Sequence, residues 1–203
     1  MKAVLISIQP KWCELIASGK KTVEVRKSAP KLETPFKCYI YMTKSGNPSL
    51  EIHDKDGNSY AIEKNYRMAG KVIGEFVCDK VDEFHEWQLE PYGKFAEFEE
   101  EELQEFLRKS CLSYKEVCDY RRNLIYCKPL FVWHISELKI YDKPRELNEF
   151  RKPCPFPAED CDVMCPFAIY EYHGNGISGD CEMIGCGNKV EYPPQSWQYV
   201  EEA

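Results

Sequence analysis

The chain has 203 residues, of which 43% are hydrophobic and 13% aromatic, and its formal net charge is −7. This length fits one domain with additions, and the hydrophobic content excludes a globally disordered chain. The sequence has no apolar run of about 18 residues, so it predicts no membrane-spanning helix. Residues 1–8 are too short for the core of a signal peptide and predict a first strand. We therefore expect a soluble, cytoplasmic protein.

Charge is distributed unevenly along the chain. Residues 1–44 hold nine Lys and Arg against three acids, a net of +6, whereas residues 75–105 hold twelve acids against two Lys, a net of −10. An acidic protein does not fit a broad phosphate-binding surface of the kind that binds duplex nucleic acid. The opening segment can still form a local basic patch, which is compatible with a pocket for one nucleotide.

Hydrophobic patterning predicts a mixed α and β chain. Pro10 suits the first turn of a helix and Gly19 its end, while Ser113 begins a capping box. Turn-forming residues at 44–65 predict a hairpin-like surface excursion. In chain order the predicted elements are a strand at 1–8, a helix at 10–18, strands at 22–26, 37–43 and 71–78, helices at 95–109 and 113–120, and a long buried strand region at 130–141.

The most informative stretch is residues 19–26, where a helix end leads into a strand with one polar side. Because successive side chains of a strand point to opposite faces, Thr22, Glu24 and Arg26 share one side and the intervening valines share the other. Lys21, at the junction, can project over the polar side. This arrangement can bind a polar ligand, although a half-exposed strand alternates in the same way when it binds nothing.

Two later positions add candidates. Gly74, within the predicted strand at 71–78, indicates a bulge or a close approach of another backbone, and Glu75 beside it is a candidate ligand-binding residue. His134 follows Trp133, and adjacent strand residues face opposite ways, so only one of the two can face a given cleft. A structural role for His134 is favoured over a ligand-binding role.

The composition changes at Phe150, after which Cys, Gly and Pro become frequent. This change predicts a domain at residues 1–149 and an irregular extension at 150–203. The extension has little apolar material of its own, so something other than a core should hold it. Its rigid Pro193-Pro194 entry and the following Trp197 predict that the tail packs back onto the domain.

Five cysteines of the extension are candidate zinc ligands, four of which would be needed: Cys154, Cys161, Cys165, Cys181 and Cys186. Four thiolates around zinc could hold such a segment. The gaps of six, three, fifteen and four residues differ from the usual two-residue spacing of zinc sites, so a loop of reduced thiols and disulfides stay open as alternatives. The odd total of eleven cysteines without an export signal favours reduced thiols or metal over disulfides.

Residues 8–12 (Ile-Gln-Pro-Lys-Trp), followed by Leu15, Ile16 and the run 19–26, resemble the signature of the ASCH domain, named for activating signal cointegrator homology, in the PUA-like superfamily. The resemblance extends over roughly residues 1–145 and is concentrated in the first thirty. With the closing Pro-Pro-Gln-Ser-Trp at 193–197, the chain is similar to the longer ASCH proteins of bacteria and their phages.

The resemblance implies an α+β fold, a PUA-like bent β-barrel flanked by short helices, with a cleft beside the helix-to-strand turn. Relatives bind RNA or modified bases, and one bacterial branch hydrolyses the amide of acetylated cytidine with a Lys, a Thr and a Glu. Lys21 matches that lysine, but Glu24 stands at the threonine position, and no residue here is assigned to the glutamate role. A carboxylate cannot simply replace an alcohol nucleophile.

The leading hypothesis is therefore an RNA- or nucleotide-binding protein whose ligand contacts Lys21, Thr22, Glu24, Arg26 and Glu75, with no membrane partner. One alternative is a hydrolase of a modified nucleoside, similar to the N4-acetylcytidine amidohydrolases, or of RNA. Its catalytic residues would be Lys21 and Glu24, with Glu75 as another acid or base. A second alternative is a protein-interaction module stabilised by structural zinc, the one cofactor that the sequence suggests.

Overall fold

The computed structural model describes residues 2–44, 68–85, 96–121, 128–154, 165–174 and 179–202. The hairpin-like excursion predicted at 44–65 lies outside these ranges except for its first residue. None of the helices in the described ranges is long and apolar enough to cross a membrane.

Most elements lie close to their predicted positions. The capping box is present, since the Ser113 Oγ accepts a hydrogen bond from the Glu116 amide and the Glu116 carboxylate accepts one from the Ser113 amide. The elements are β1 (Ala3–Ile8), α1 (Pro10–Ala17), β2 (Val23–Arg26), β3 (Phe36–Met42), β4 (Val72–Cys78), β5 (Val81–Phe84), α2 (Ala96–Ser110), α3 (Tyr114–Arg121), β6 (Leu130–His134), β7 (Ser136–Arg145), β8 (Phe150–Arg151), β9 (Ala168–Gly174), β10 (Gly179–Cys186) and β11 (Trp197–Glu202).

The strands form three sheets within the described residues. A six-stranded sheet has the order β7-β4-β3-β1-β11-β8, a three-stranded sheet has the order β2-β6-β5, and β9 and β10 form a hairpin. In the large sheet β1 is parallel to β3 and antiparallel to β11. The large sheet curls into a half-barrel, and the described chain has few, short helices. This architecture confirms the predicted α+β fold class.

Strict alternation along β1 and β3 gives the large sheet two buried faces. Four odd-numbered residues of the two strands, Ala3, Leu5, Tyr39 and Tyr41, pack with Val72, Phe150, Val190 and Val200. The even-numbered residues form the larger cluster with α1 and Trp133, whose members are Val4, Ile6, Ile8, Cys13, Ile16, Phe36, Cys38, Ile40, Met42, Ile73, Phe76 and Cys78.

The small sheet buries the valine side of β2 against the helices. Val23 and Val25 belong to a third cluster in which the Phe84 and Phe106 rings stack with their centroids 4.0 Å apart. Because alternate residues of a strand face opposite ways, the polar side of β2 points away from this cluster. The third cluster therefore fixes the direction in which Glu24 and Arg26 face.

The long strand region predicted at 130–141 is divided into two strands. It breaks at Ile135, and Glu137 has a φ of 47°. The β6 half is mostly buried in the small sheet, as expected, but β7 is an edge strand of the large sheet with no fully buried residue. The prediction of one buried strand was therefore wrong for β7, whose residues are all half-buried or exposed.

The extension contains more regular structure than its composition suggests. The β9–β10 hairpin lies within it, and β11 lies between β1 and β8 in the large sheet. The observed pairing of β11 with β1 joins this part of the chain to the first strand. A boundary between residues 149 and 150 stays a prediction.

Gly74 lies where two strands approach closely. A Cβ added there would be 2.5 Å from the backbone oxygen of Lys139 on β7, and the β4–β7 register shifts beside it. The close backbone approach predicted for this glycine is confirmed.

Candidate functional site

A tight turn after α1 positions the first residue of the site. Gly19 has a φ of 71°, a left-handed conformation that glycine adopts without strain. The amides of Lys20 and Lys21 both donate to the Leu15 carbonyl, at 2.9 Å. The chain therefore reverses immediately before β2, and the Lys21 side chain is buried rather than solvated.

Lys21, Glu24 and Arg26 form a buried charge cluster. Their exposed fractions are 3%, 6% and 8%. The Glu24 Oε1 lies 3.0 Å from Arg26 Nη2, and the Glu24 Oε2 lies 3.4 Å from Lys21 Nζ. Two cations therefore flank one carboxylate, and three of the predicted site residues are brought together.

The two cations are also held by backbone and hydroxyl oxygens from distant parts of the chain. Lys21 Nζ donates to the Ser110 carbonyl at the end of α2, at 2.7 Å. Arg26 Nη2 donates to the Ser7 carbonyl at 2.6 Å, and its Nη1 donates to Ser196 Oγ at 3.4 Å. These donor atoms are therefore used within the protein, whereas the buried Arg26 Nε has no hydrogen bond within the described residues.

The Glu24 Oε2 atom has no hydrogen bond within the described residues, although it is buried. Its separation from Lys21 Nζ is an ion-pair distance, but the angles do not form a hydrogen bond. A buried acceptor without a donor costs about 1–3 kcal/mol. A donor that reached this atom would therefore not have to displace an existing hydrogen bond.

The cluster opens into a cavity of about 430 Å³ beside the end of β1. Pockets that take small molecules typically measure about 300–1,000 Å³, so one nucleoside-sized ligand is a suitable occupant. The centroid of the Trp12 ring lies 5.2 Å from Lys21 Nζ. The lining residues are Ser7, Ile8, Gln9, Trp12, Lys21, Glu24, Val25, Arg26, Thr43, Leu112, Glu116, Tyr120, Gln195 and Ser196.

Two predicted site residues are not among those that line the cavity. Thr22 precedes the first residue of β2, and its side chain is exposed while its amide bonds the Lys109 carbonyl. Glu75 accepts a 2.6 Å hydrogen bond from the Tyr141 hydroxyl and lies 3.4 Å from Lys37 Nζ. The Glu75 carboxylate therefore has partners within the protein and does not require a ligand.

His134 also lies apart from the cavity-lining residues. Its Nε2 is 2.8 Å from an Asp82 carboxylate oxygen, across the β5–β6 pair. Burial opposes ionisation of Asp82, but its hydrogen bonds with Lys80 and His134 outweigh this effect, and the pKa of Asp82 is lowered. The geometry agrees with a structural role for His134.

Residues 6–120 match the family model of the ASCH domain, which is more than half of the chain. The chain belongs to the ASCH domain family. The ASCH domain is a PUA-like, RNA-binding fold family.

Solved structures similar to this ASCH protein include the crystal structure of ASCH from Zymomonas mobilis, with 18% identity, a TM-score of 0.46 and coverage of 71% of this chain and 73% of that chain. A tyrosine-to-phenylalanine mutant of the protein from the same organism has 17% identity, a TM-score of 0.46 and coverage of 72% and 77%. A serine-to-alanine mutant of it has 18% identity, a TM-score of 0.46 and coverage of 71% and 74%. No curated protein matches the chain significantly.

Several residues that line the cavity of this ASCH protein were not predicted from the sequence. Glu116 and Tyr120 lie on α3. The capping box predicted this helix, but it did not predict that the helix lines the cavity. Gln195 and Ser196 come from the segment before β11, where the Pro-Pro entry predicted only that the tail packs back. Ser196 lies near Arg26 because β11 pairs with β1. No local sequence pattern predicts that pairing.

A thiol also lies near the charge cluster. Burial, and then the negative charge of Glu24, raises the pKa of Cys13 far above its ordinary value. Its Sγ contacts the Ile8 carbonyl at 3.6 Å. Since a protonated, buried thiol is a poor nucleophile, Cys13 is a packing residue.

The candidate zinc ligands are described only in part. Cys165 is buried, Cys154 and Cys186 are half-buried, Cys181 lies on β10, and Cys161 lies outside the described residues. In the described part of the chain no group of three His, Cys, Asp or Glu is arranged to hold a metal ion. Zinc binding by the five cysteines stays a prediction.

Replacement of Glu116 by Gln should destabilise the protein at neutral pH and not in acid. A hydrogen bond from the Ser113 amide, with smaller contributions from the Ser113 hydroxyl and Lys11, outweighs desolvation and lowers the pKa of Glu116. Because the folded-state pKa is lowered, the stabilisation is present above the ordinary glutamate pKa of about 4.3 and is lost as pH falls through the folded value. The side chain is 41% exposed, so we expect a loss of at most about 1 kcal/mol.

Thermal unfolding of wild type and Glu116→Gln from about pH 7 to about pH 3 measures this effect. A Lys11→Met variant is the matched control, because it removes the 3.1 Å ion pair and keeps the capping box. It should retain most of the pH dependence. A Glu116→Gln difference that stays constant across this pH range would contradict the prediction.

Proposed function

We propose that the cavity binds a nucleobase that carries an exocyclic amine, as a nucleoside or at an unpaired position of an RNA. The observation that carries this proposal is Glu24 Oε2, a buried acceptor without a hydrogen bond in the described chain, on a residue that lines the cavity. A carboxylate accepts from the N4 amine of cytosine. Uracil has an oxygen at the same position, so two acceptors would face each other.

The charge cluster supports an amine-binding site more than a phosphate-binding site. Lys21 and Arg26 together contact Glu24, two backbone carbonyls and the Ser196 hydroxyl. Their role is to hold the carboxylate in place, because a flanked, buried carboxylate keeps its orientation when the ligand binds. The net charge of −7 fits a site that recognises a base more than one that collects phosphates.

Aromatic side chains supply the surface on which a base can stack. Trp12 and Tyr120 both line the cavity, Trp12 from α1 and Tyr120 from α3. Stacking of a base on an aromatic side chain contributes about 1–3 kcal/mol. Glu24 would then select the base by its hydrogen-bonding edge, while the rings supply affinity for any base.

Binding without hydrolysis is the better-supported function. The hydroxyl of Thr22 is exposed and does not line the cavity, and Glu24 occupies the position of the threonine nucleophile of the catalytic relatives. Ser7 and Ser196 also line the cavity, but the Ser7 hydroxyl donates to the Pro194 carbonyl and the Ser196 hydroxyl accepts from Arg26. These contacts do not activate either oxygen for attack.

Isothermal titration calorimetry with cytidine and uridine tests the proposal. We expect cytidine to bind wild type at least about fivefold more tightly than uridine, since one correct base contact is worth about 1–3 kcal/mol. Glu24→Gln should reduce this preference, because an amide both donates and accepts. Trp12→Leu should weaken both nucleosides to a similar degree, because stacking does not distinguish them.

Glu75→Gln is the matched control, since this carboxylate does not line the cavity and should leave both affinities unchanged. Equal binding of cytidine and uridine by wild type, or binding of neither, would contradict the proposal. N4-acetylcytidine should stay intact during incubation with the protein. Release of cytidine from it would instead support the hydrolase alternative.

A further inference from the structure

The cavity receives part of its wall from outside the family-matched region. The ASCH match ends at residue 120, whereas Gln195 and Ser196, which line the cavity, directly precede β11. Any contact of Gln195 or Ser196 with a ligand would therefore involve residues beyond the part of the chain that matches the family model. The inference below rests on the proposed function of the cavity.

The segment at 194–197 is held in place by several contacts. The Ser7 hydroxyl donates to the Pro194 carbonyl at 2.6 Å, and the Ser7 amide donates to the Ser196 carbonyl at 2.9 Å. Trp197 Nε1 donates to Ser28 Oγ at 3.1 Å, and its ring lies 5.9 Å from that of Trp133. A wall anchored on both sides is a preorganised surface for a ligand.

The two lining residues of this segment differ in their available chemistry. Ser196 accepts a hydrogen bond from Arg26, so it supports the charge cluster. Gln195 is exposed, and no hydrogen bond of its side chain is found within the described residues. Its amide offers both a donor and an acceptor, whereas the Glu24 carboxylate only accepts.

We propose that Gln195 contacts the bound base and determines its specificity together with Glu24. Cytosine presents an amine beside two acceptors, the ring N3 and the O2 oxygen. Glu24 accepts from the amine, and the Gln195 amide donates to the ring N3, which carries a hydrogen in uracil. A carboxylate and an amide thus recognise two different groups of one base edge, which a single carboxylate cannot do.

Titration of cytidine into Gln195→Leu and Gln195→Glu variants tests this role. We expect the affinity of Gln195→Leu to fall about tenfold, since one hydrogen bond is lost. The affinity of Gln195→Glu should fall further, because a carboxylate would face the acceptor groups of the base. Both variants should unfold at the wild-type temperature, because the residue is exposed. Glu191→Gln is the matched control, an exposed residue three positions before this segment that does not line the cavity.

The outcomes separate the two proposals. If wild type prefers cytidine and both Gln195 variants bind it as tightly, the role of Gln195 is wrong while the function of the cavity stands. If wild type binds no nucleoside, both proposals are overturned. An equal loss in Glu191→Gln would assign the effect to the chain before β11 in general and would also overturn the specific role of Gln195.

Discussion

Replacement of Glu24 by Gln should lower the free energy of unfolding by about 3–5 kcal/mol, the cost typical of removing one partner from a buried ion pair. Lys21 and Arg26, which are 3% and 8% exposed, would remain buried without a counter-charge. Their hydrogen bonds to the Ser110 and Ser7 carbonyls would remain but cannot supply a negative charge.

Urea denaturation at neutral pH, followed by circular dichroism, measures this loss. Glu105→Gln is the matched control, because Glu105 forms a 2.8 Å pair with Arg108 on the solvent-exposed side of α2. Solvent screens that pair, so its removal should leave stability unchanged within error. Equal effects of the two substitutions would show that the Glu24 cluster contributes no more than a surface pair.

A combined substitution separates charge from packing in the same cluster. Replacement of all three charged residues by apolar residues of similar size, Lys21→Met, Glu24→Leu and Arg26→Met, should restore much of the lost stability, as it does for other buried ion clusters. Cytidine binding should not return with it. Such a result would assign the cluster to recognition rather than to stability.

Replacement of Trp133 by Ala should destabilise the protein by about 3–5 kcal/mol, the range for removal of a large buried aromatic side chain. Trp133 has 0% exposure and packs edge-on against Phe36, with the ring centroids 5.8 Å apart. It belongs to β6 of the small sheet yet lies in the main core of the large sheet. Its loss would therefore open a cavity where the two sheets meet.

Trp133→Phe should cost clearly less, because it retains an aromatic ring, and no hydrogen bond of the buried indole Nε1 is found in the described chain. The same urea titrations measure both variants. Tyr192→Ala is the control, since this ring is 78% exposed and its removal should have little effect. A Phe variant as unstable as the Ala variant would show that the indole nitrogen has an important partner.

Local sequence patterns were sufficient for most elements of this fold. Pro10 and Gly19 set the ends of α1, and the Ser113 capping box set the start of α3, because each acts through neighbours in the chain. The division of residues 130–141 into β6 and β7 was not predictable in this way. Both β6 and β7 have residues suited to a strand. Which sheet each strand joins depends on its partner, which is β2 for β6 and β4 for β7.

The same distinction applies to the candidate site. Lys21, Glu24 and Arg26 were predictable because a helix end and two-residue alternation place them within one short stretch. Thr22 has the same parity, but the regular strand begins only at Val23, so its side chain is exposed. Gln195 was not predictable, because it reaches the cavity through a strand pairing between distant parts of the chain.

The position of β11 has a consequence for how the protein folds. Ala3 of β1 pairs with Val200 of β11, so a central pairing of the large sheet joins residues almost 200 positions apart. Contacts of such long sequence separation require loop closure and generally form slowly. Since the segment before β11 also supplies cavity wall, ligand affinity should develop only when this late pairing is complete. Bound ligand would then stabilise the closed sheet selectively and slow its opening.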